Sequence, residues 1–332
     1  MAMLRLVFMG SDAIARPALE WLAGPGNGLA QIVAIYTQPD RPSGRGQKVT
    51  PNAIKQWALT HGLPVFQPVQ LTLETCGDLA RLGADVALVM AYGQILKDDV
   101  IATPRLGTLN LHASLLPKYR GASPIQTAVA CGESQTGVTL MRVSRRLDAG
   151  PTADAERVPV GSLDTAAEVE ARLADAFVPL LARTLPKLAV GSLEFRPQEE
   201  TQATYCRRLE KADGALDFAA SAAVLAARIN GLHPWPGCFF ETGGQTVKVG
   251  LAEALPDSRT GPAGQVVGVD AIGLLVATGS GFLRLHRLQR PGGRMLPAPE
   301  FLRGHPIAPG TLLPSHPMAS LVSSQSFPRR KR

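Results

Sequence analysis

Several features that would assign a protein to a familiar class are missing from this chain of 332 residues. Aromatic residues make up only 5% of it and charged residues 18%, while 45% is hydrophobic. This balance is typical of a globular protein and excludes a disordered or fibrous chain. No run of eighteen apolar residues occurs, and the short apolar run at the N-terminus contains Arg5. We therefore expect a cytoplasmic protein without a signal peptide, transit peptide or membrane span.

Cysteines are few and widely spaced. Cys76, Cys131, Cys206 and Cys238 lie 55, 75 and 32 residues apart, which gives neither a C-x-x-C pair nor a zinc-binding spacing. We expect unpaired thiols in a reducing cytosol.

Three common catalytic or nucleotide-binding motifs are also absent. The sequence contains no G-x-x-x-x-G-K-[ST] loop and no G-x-S-x-G, and the turn from Gly10 to Ala15 does not spell G-x-G-x-x-G. Activities driven by nucleotides and serine hydrolase activity are therefore disfavoured.

The first 145 residues alternate short aliphatic runs with amphipathic stretches, which predicts βαβ units and a parallel sheet. The predicted strands are Leu4 to Met9, Gln31 to Thr37, Ala84 to Tyr92, Gly107 to His112 and Thr136 to Val143. The predicted helices are Ile14 to Ala23, Asn52 to His61, Leu73 to Leu82, Ser123 to Cys131 and Asp164 to Val190. The pattern indicates a doubly wound α/β domain over residues 1–190.

The rest of the chain has a different pattern. Residues 191–206 lack either period and are predicted to be a linker. A helix from Ser221 to Asn230 precedes short strands separated by glycines, which indicate a small OB-like β-barrel over residues 207–313. These strands are Val247 to Leu251, Gly264 to Val269, Gly273 to Thr278 and Phe282 to Leu288. Residues 314–332 are polar and end in four basic residues, which predicts a disordered basic tail.

Positive charge is confined to the C-terminal part. Residues 1–200 contain 19 basic and 19 acidic residues, whereas residues 201–332 contain 15 and 8, so the net charge of +7 lies entirely after residue 200. Small-molecule chemistry in the first part and a grip on a polyanion in the second would explain this division. A solvated basic face with a frayed end explains it equally well.

One predicted strand carries polar residues where an open parallel sheet binds ligands, at its carboxyl end. Asn110 and His112 are two residues apart and therefore share a face of the strand, while Leu109 and Leu111 share the other. Asp148 follows the next predicted strand, from where it reaches the same crevice. A single histidine at a strand end is commonly structural, and an Asp before Gly is commonly a turn residue. The Asn-His pair favours a site.

The residues around this strand resemble a known signature. Residues 107–126, with Asn-x-His-x-Ser-Leu-Leu-Pro and then Lys-Tyr-Arg-Gly-Ala-Ser-Pro-Ile-Gln, resemble the 10-formyltetrahydrofolate-dependent formyltransferases. Residues 37–48, 66–68, 91–96 and 233–236 narrow the resemblance to the methionyl-tRNA formyltransferases. The resemblance extends from about Leu4 to Leu313.

The resemblance implies a Rossmann-like catalytic domain and an OB-like C-terminal domain. It also implies metal-free transfer of a formyl group from 10-formyltetrahydrofolate to the α-amine of initiator methionyl-tRNA. We expect the protein to be a monomer. Asn110 and protonated His112 would donate hydrogen bonds to the developing oxyanion, and Asp148 would orient the imidazole and help to move the proton. The folate would contact Ser114, Leu115, Leu116 and Pro117, and the backbone at Leu88, Met90, Tyr92 and Ile95.

The same resemblance suggests how tRNA is bound. The loop from Gln38 to Lys48, with Arg41, Arg45 and Lys48, would overhang the site and wedge into the acceptor end, with Arg45 as the key contact. Arg284 and Arg287, on an alternating strand of the second domain, would grip backbone phosphates. A flexible solvated loop and a solvated basic face are the alternatives.

The sequence departs from the family pattern at two places. The segment from Arg146 to Pro151 reads Arg-Leu-Asp-Ala-Gly-Pro, where the family usually has Gly-Leu-Asp-Thr-Gly-Asp, and the turn after Gly10 also differs. We expect an altered loop and altered folate affinity with the chemistry retained. Two other functions stay open: formylation of an amino sugar nucleotide, and a catalytically silent folate- or RNA-binding protein. The basic C-terminal part and Gly44-Arg45-Gly46 argue against the sugar substrate.

Overall fold

The computed structural model describes residues 3–43, 48–256 and 261–328. Its helices are α1 (Arg16–Ala23), α2 (Ala53–Thr60), α3 (Leu73–Arg81), α4 (Asp98–Ala102), α5 (Pro124–Ala130), α6 (Ala166–Ala189), α7 (Ala222–Gly231) and α8 (Ala298–Gly304). Its strands are β1 (Leu4–Gly10), β2 (Ala30–Tyr36), β3 (Arg41–Ser43), β4 (Lys48–Thr50), β5 (Val65–Phe66), β6 (Val86–Met90), β7 (Thr108–His112), β8 (Arg120–Gly121), β9 (Gln135–Arg142), β10 (Thr152–Pro159), β11 (Tyr205–Cys206), β12 (Cys238–Thr242), β13 (Gln245–Leu255), β14 (Val266–Val269), β15 (Leu274–Ala277), β16 (Phe282–Gln289), β17 (Leu296–Pro297) and β18 (Val322–Ser323). No helix in these described ranges is long and apolar enough to cross a membrane.

The chain forms two compact units that are interleaved along the sequence. Unit 1 comprises residues 1–120, 137–158 and 171–203, and unit 2 comprises residues 121–136, 159–170 and 204–332. The chain therefore passes from one unit to the other five times. Two stretches that the sequence assigns to the first domain, 121–136 and 159–170, belong to unit 2.

Unit 1 is built on a seven-stranded sheet with the order β10-β9-β7-β6-β1-β2-β5. The strands from β5 to β7 are parallel neighbours, which confirms the predicted doubly wound, Rossmann-like sheet. These strands carry nearly continuous apolar runs because helices cover both faces of such a sheet. At one side the prediction was wrong, since β9 runs antiparallel to β7. An alternating strand-helix pattern does not encode the direction of a strand near a sheet edge, where antiparallel additions are common.

The direction of chain winding reverses between β1 and β6, which are adjacent although distant in sequence. Open α/β sheets form a crevice at such a point, outside the carboxyl ends of the strands. Gly10 ends β1 opposite Met90 of β6, and a Cβ atom on Gly10 would lie 2.6 Å from the Met90 carbonyl oxygen. The close approach of the two strand ends therefore requires glycine.

Unit 2 contains an antiparallel sheet with the order β12-β13-β16-β15-β14, and β17 pairs with β16. It curls into a half-barrel, which confirms the predicted small β domain. Helix α7 packs against β13, and the core joins Leu225 and Ile229 of α7 to Leu283 and Leu285 of β16 and to Phe301 of α8. Strand β12 and helix α8 were not predicted from the sequence.

The prediction of a disordered tail is wrong for residues 314–328. Leu321 is buried in the core of unit 2, and β18 pairs with β11. The backbone NH of His316 donates to the Leu216 carbonyl at 2.8 Å, and Arg228 donates to the Ala319 carbonyl at 3.2 Å. The polar average composition of this segment masks the apolar residues Leu321 and Met318, which pack on the core of unit 2. Residues 329–332 lie outside the described residues.

Candidate active site

Asn110 and His112 lie on β7, in the middle of the sheet of unit 1. The imidazole of His112 is buried, Asn110 is half-buried, and Leu109 and Leu111 on the opposite face are in the core. The two polar side chains therefore share a face because β7 is a regular strand flanked on both sides.

Both ring nitrogens of His112 face protein oxygen atoms. Nε2 lies 3.0 Å from the carbonyl oxygen of Tyr119, and because a carbonyl only accepts, Nε2 carries a hydrogen. Nδ1 lies 3.9 Å from Oδ2 of Asp148, beyond hydrogen-bond distance. The ring thus connects the carboxylate of Asp148 to the backbone at Tyr119.

The loop that brings Asp148 close to His112 follows a path that the sequence did not predict. In the antiparallel register, Leu109 pairs with Arg142 and His112 with Thr139, so β9 ends near the start of β7. The loop after β9 must fold back to bring Asp148 to the other end of β7. It packs against β9 so closely that a Cβ on Gly150 would overlap the Arg142 carbonyl oxygen.

A segment predicted to be a linker holds this loop. Nε2 of Gln198 donates to the carbonyl oxygens of both Asp148 (2.8 Å) and Gly150 (2.7 Å). Periodicity gives no signal for such a contact, because it joins residues about fifty positions apart through one amide.

Arg120 in turn holds Gln198. Its side chain is 0% exposed and donates from Nε and Nη2 to Oε1 of Gln198, at 3.0 and 2.8 Å. It also forms a salt bridge with Glu200 at 2.9 Å, and Arg146 contacts the same carboxylate at 2.5 Å. Hydrogen bonds from the two arginines lower the pKa of Glu200 to about 2. Glu200 is therefore ionised at neutral pH.

The side-chain amide of Asn110 differs from its neighbours in having no hydrogen bond with any described residue. It is half-buried, and neither of its polar atoms is both buried and unsatisfied. Asn110 therefore presents an amide that is available to a ligand.

Backbone strain is concentrated around these residues. Of the described residues other than glycine, Ala91, Tyr119 and Asp148 have positive φ, at 47°, 59° and 47°. Ala91 follows β6, Tyr119 offers its carbonyl to His112, and Asp148 faces the imidazole. Left-handed conformations in such residues cost about 1–3 kcal/mol each and cluster at functional sites. Their position makes this edge of the sheet the candidate site.

Comparison with known proteins agrees with the sequence signature. The family described as "Formyl transferase" matches residues 4–185, and "Formyl transferase, C-terminal domain" matches residues 208–306. The chain belongs to the formyltransferase family. Relatives named methionyl-tRNA formyltransferase include proteins from Methylococcus capsulatus and Ectopseudomonas mendocina, which are 41% and 42% identical over 306 and 313 residues. The alignments cover 92% and 93% of this formyltransferase and 98% of each relative.

Solved structures share the fold. WlaRD, a sugar 3N-formyltransferase studied with dTDP and 5-N-formyl-THF, has a TM-score of 0.64 and 16% identity, covering 89% of this chain and all of that one. The N-formyltransferase of Helicobacter canadensis, in complex with folinic acid and dTDP-3-aminofucose, has a TM-score of 0.63 and 17% identity over 87% and 100%. At this identity the likeness shows the fold alone.

The residues of this formyltransferase that are predicted to contact folate differ in how deeply they are buried. Ser114 is fully buried, its hydroxyl donates to the Lys118 carbonyl at 2.6 Å, and its own carbonyl accepts from Thr139 at 2.7 Å. Its hydroxyl therefore stabilises the turn, and the structure does not support a ligand contact through it. The next three residues, Leu115, Leu116 and Pro117, are half-buried.

In the second segment predicted to contact folate, residues 88–95, most of the predicted residues have buried side chains and could contribute only their backbone atoms. Leu88, Met90 and Tyr92 are buried, whereas Ile95 is 71% exposed. The Tyr92 carbonyl already accepts from Nε2 of Gln38 at 3.0 Å. Of this group, Ile95 alone presents a side chain to solvent.

Unit 1 also contains a cleft of about 590 Å³ beside β10. Its lining includes Leu116, Thr139, Thr152, Asp154, Lys187 and Arg196. Neither Asn110 nor His112 lines it, so the cleft and the candidate catalytic side chains are separate features.

The described part of the loop predicted to overhang the site includes two short antiparallel strands. Strands β3 and β4 pair through Arg41–Thr50 and Ser43–Lys48, and Arg41 donates to Oε1 of Gln38 at 3.0 Å. Lys48 is exposed. Arg45, the predicted key contact, lies outside the described residues.

The two arginines predicted to bind phosphates differ in their surroundings. Arg284 is 18% exposed and forms salt bridges with Glu253 and Asp270, both at 2.7 Å. Arg287 is exposed and forms no hydrogen bond or salt bridge with a described residue. The structure does not support the predicted role of Arg284, because two carboxylates already compensate its charge.

Neither metal ligands nor disulfides were found among the described residues. No group of three or more His, Cys, Asp or Glu side chains is placed to hold a metal ion. All four cysteines are described, and no disulfide joins any of them.

Proposed function

We propose that this formyltransferase transfers the formyl group of 10-formyltetrahydrofolate to the α-amine of initiator methionyl-tRNA. The observation that carries the proposal is the Asn110 amide, which makes no hydrogen bond to a described residue and lies on one face of β7 with the His112–Asp148 pair. Relatives with this activity in their names align over nearly the whole chain. This likeness supports the choice of substrate.

Asn110 would stabilise the charge that develops during the reaction. A bond forms between the amine nitrogen and the formyl carbon, and negative charge grows on the formyl oxygen. An amide NH₂ that makes no other hydrogen bond can donate to that oxygen without first breaking a contact. For His112 to donate to the same oxygen, Nε2 must leave the Tyr119 carbonyl or Nδ1 must turn from Asp148.

Asp148 and His112 would assist the transfer of a proton from the attacking amine to the folate nitrogen. The amine loses a proton as it attacks, and the folate nitrogen gains one as its bond to the formyl carbon breaks. A carboxylate 3.9 Å from an imidazole accepts a proton from the amine side and stabilises the charged ring. The net reaction moves one formyl group and one proton and needs no external acid.

The folate would rest against apolar side chains at the strand ends. The half-buried Leu115, Leu116 and Pro117 follow β7, and the exposed Ile95 lies beyond β6. Small-molecule sites are typically lined by apolar side chains together with a few polar groups. The Leu88, Met90 and Tyr92 side chains are buried, so only their backbone would be involved.

Phosphates of the tRNA would bind an outer face of β13 and β16 in unit 2. Lys248 pairs with Gln289, which is two residues from Arg287 on β16, so Lys248 and Arg287 share this face. Both are exposed, as are Arg290 and Arg294 just beyond the strand. Arg41, Arg45 and Lys48 would contact the acceptor end. We also propose that the protein acts as a monomer in the cytoplasm.

A formylation assay tests the proposal. Purified protein and 10-formyltetrahydrofolate are given initiator methionyl-tRNA, elongator methionyl-tRNA or a dTDP-amino sugar, and the products are separated by mass. We expect formylation of the initiator tRNA, with N110A as the impaired control. Formylation of the sugar alone would assign the enzyme to sugar metabolism, and no product from any acceptor would indicate a silent binding protein.

A further inference from the structure

The loop that carries Asp148 is held partly by its own residues, since Ala149 NH and the Ser144 hydroxyl donate to the Arg146 carbonyl at 3.3 and 3.1 Å. The backbone of Asp148 has a left-handed conformation, with φ at 47°, and Ala149 and Gly150 follow it in the chain. Backbone carbonyls in a folded-back loop need donors from elsewhere if they are removed from water. The carbonyl oxygens of Asp148 and Gly150 accept hydrogen bonds from a residue about fifty positions later in the chain.

That residue is Gln198, whose single NH₂ group bridges the two carbonyls at 2.8 and 2.7 Å. An amide that donates both hydrogens to carbonyls on either side of Ala149 fixes the separation of those carbonyls. It thereby fixes the direction in which the Asp148 side chain leaves the loop. Gln198 itself lies between the two family matches, which cover residues 4–185 and 208–306.

The orientation of the Gln198 amide is determined by Arg120. Two guanidinium nitrogens donate to Oε1 at 3.0 and 2.8 Å, which forces Nε2 to point at the loop. The fully buried guanidinium is held by Glu200, which also binds Arg146 at the start of the same loop. The chain of contacts therefore begins and ends on the Asp148 loop.

We propose that Gln198 is a positioning residue that sets the distance between Asp148 and His112, with Arg120 and Glu200 fixing its amide. This inference rests on the proposed role of Asp148 in the reaction. At 3.9 Å the Asp148 carboxylate interacts with the His112 imidazole through charge but is too far away to form a hydrogen bond. Small shifts of the loop therefore change the strength of the interaction between the two side chains. Misplacement of a catalytic group by about 1 Å can cost about a hundredfold in rate.

The test uses Gln198→Glu, which keeps an oxygen for Arg120 and places a second oxygen against the two carbonyls in place of the donor. Gln198→Met removes both and serves as a second variant of similar size. The matched control is Gln202→Glu, since Gln202 is exposed on the same segment and makes no side-chain hydrogen bond with a described residue. We expect kcat to fall about 10- to 100-fold in both Gln198 variants. KM for tRNA should stay near its original value, and the control should stay within roughly twofold.

A double-mutant cycle with Asp148→Asn separates positioning from general stability. If Gln198 acts through Asp148, the double variant Gln198→Glu with Asp148→Asn should be no slower than Asp148→Asn alone in single-turnover assays. Hydrogen exchange of the peptide covering residues 144–151 should also accelerate in both Gln198 variants, with the core strands unchanged. This second readout does not require tRNA or turnover.

The outcomes distinguish the two ideas. Normal kcat in the Gln198 variants together with an impaired Asp148→Asn would overturn the positioning role and leave the proposed function intact. Multiplying losses in the double variant, or unchanged exchange of the loop, would overturn it as well. Normal kcat in Asp148→Asn would remove the role of Asp148 and with it this inference.

Discussion

Arg284 and Arg287 lie three residues apart on β16, and their replacement by alanine should have opposite consequences. Arg284→Ala leaves Glu253 and Asp270 without their shared cation, whereas Arg287→Ala removes a charge that forms no salt bridge with a described residue. We expect the first change to lower stability and the second to weaken tRNA binding. The sequence alone predicted the same effect for both.

The magnitude for Arg284 comes from its contacts. Three charge-assisted contacts of 2.7–2.8 Å would each contribute about 1.5–3 kcal/mol if buried. The two carboxylates are about one third exposed, so water replaces part of this, and we expect a net loss of about 1–3 kcal/mol. With an unfolding entropy of about 2.1 cal/mol/K per residue, each kcal/mol lowers Tm by roughly 1–2 °C in a protein of this size. Formylation by the remaining folded protein should be nearly unchanged.

The magnitude for Arg287 comes from counterion release. Loss of one phosphate contact should reduce the log-log salt slope of tRNA binding by roughly 0.7–0.9, raise KM for tRNA and leave KM for folate unchanged. Binding is measured by fluorescence anisotropy at several salt concentrations, and Tm by scanning fluorimetry. Arg16→Ala, an exposed arginine of α1, controls for the loss of one positive charge. The reasoning is refuted if Arg287→Ala keeps the original slope while Arg284→Ala flattens it.

Three further predictions concern single residues. Asn110→Ala should lower kcat about a hundredfold in single-turnover assays, because it removes the donor available to the oxyanion, while folate affinity measured by calorimetry should change little. Glu200 has a pKa lowered from 4.5 to about 2, so its stabilisation is complete above about pH 4.5 and is lost as the pH falls toward 2. Acid unfolding of Glu200→Gln should therefore show less destabilisation across that window, and an unchanged curve would contradict the salt bridges. Leu321→Ala should cost roughly 2–5 kcal/mol of unfolding free energy in urea, whereas the exposed Leu312→Ala should cost little, and equal losses would contradict the buried tail.

Local alternation was enough to predict the central part of the candidate site. Side chains two residues apart on a strand point to the same face, so Asn110 and His112 could be paired without knowing which strands lie beside them. In the structure both residues lie on β7, as that prediction requires. The proximity of Asp148 was predicted from a parallel strand that the structure shows to be antiparallel. Asp148 does lie 3.9 Å from His112, but the geometric reason given for it was wrong, because strand direction depends on tertiary pairing.

Contacts between distant residues could not be predicted from patterns. Arg284 alternates with leucines as a surface residue does, yet its partners Glu253 and Asp270 come from two other segments. Gln198 lies in a stretch without periodicity, and its role depends on a loop about fifty residues earlier. Ser114 belongs to the family signature, but its hydroxyl is used by the turn itself. Polar pairing at long range is specified by the fold and leaves no periodic trace.

The interleaving of the two units has a consequence for synthesis on the ribosome. Helix α5 carries Ile125, Ala128 and Val129 among its buried residues, and it packs against α7, which is made much later. Until residues 222–231 emerge, the nascent chain has completed the segments of unit 1 but must keep the apolar face of α5 uncovered. We expect this transiently exposed apolar face to make the nascent chain prone to aggregation. Expression of residues 1–203 alone would make that temporary exposure permanent, so we expect such a fragment to aggregate.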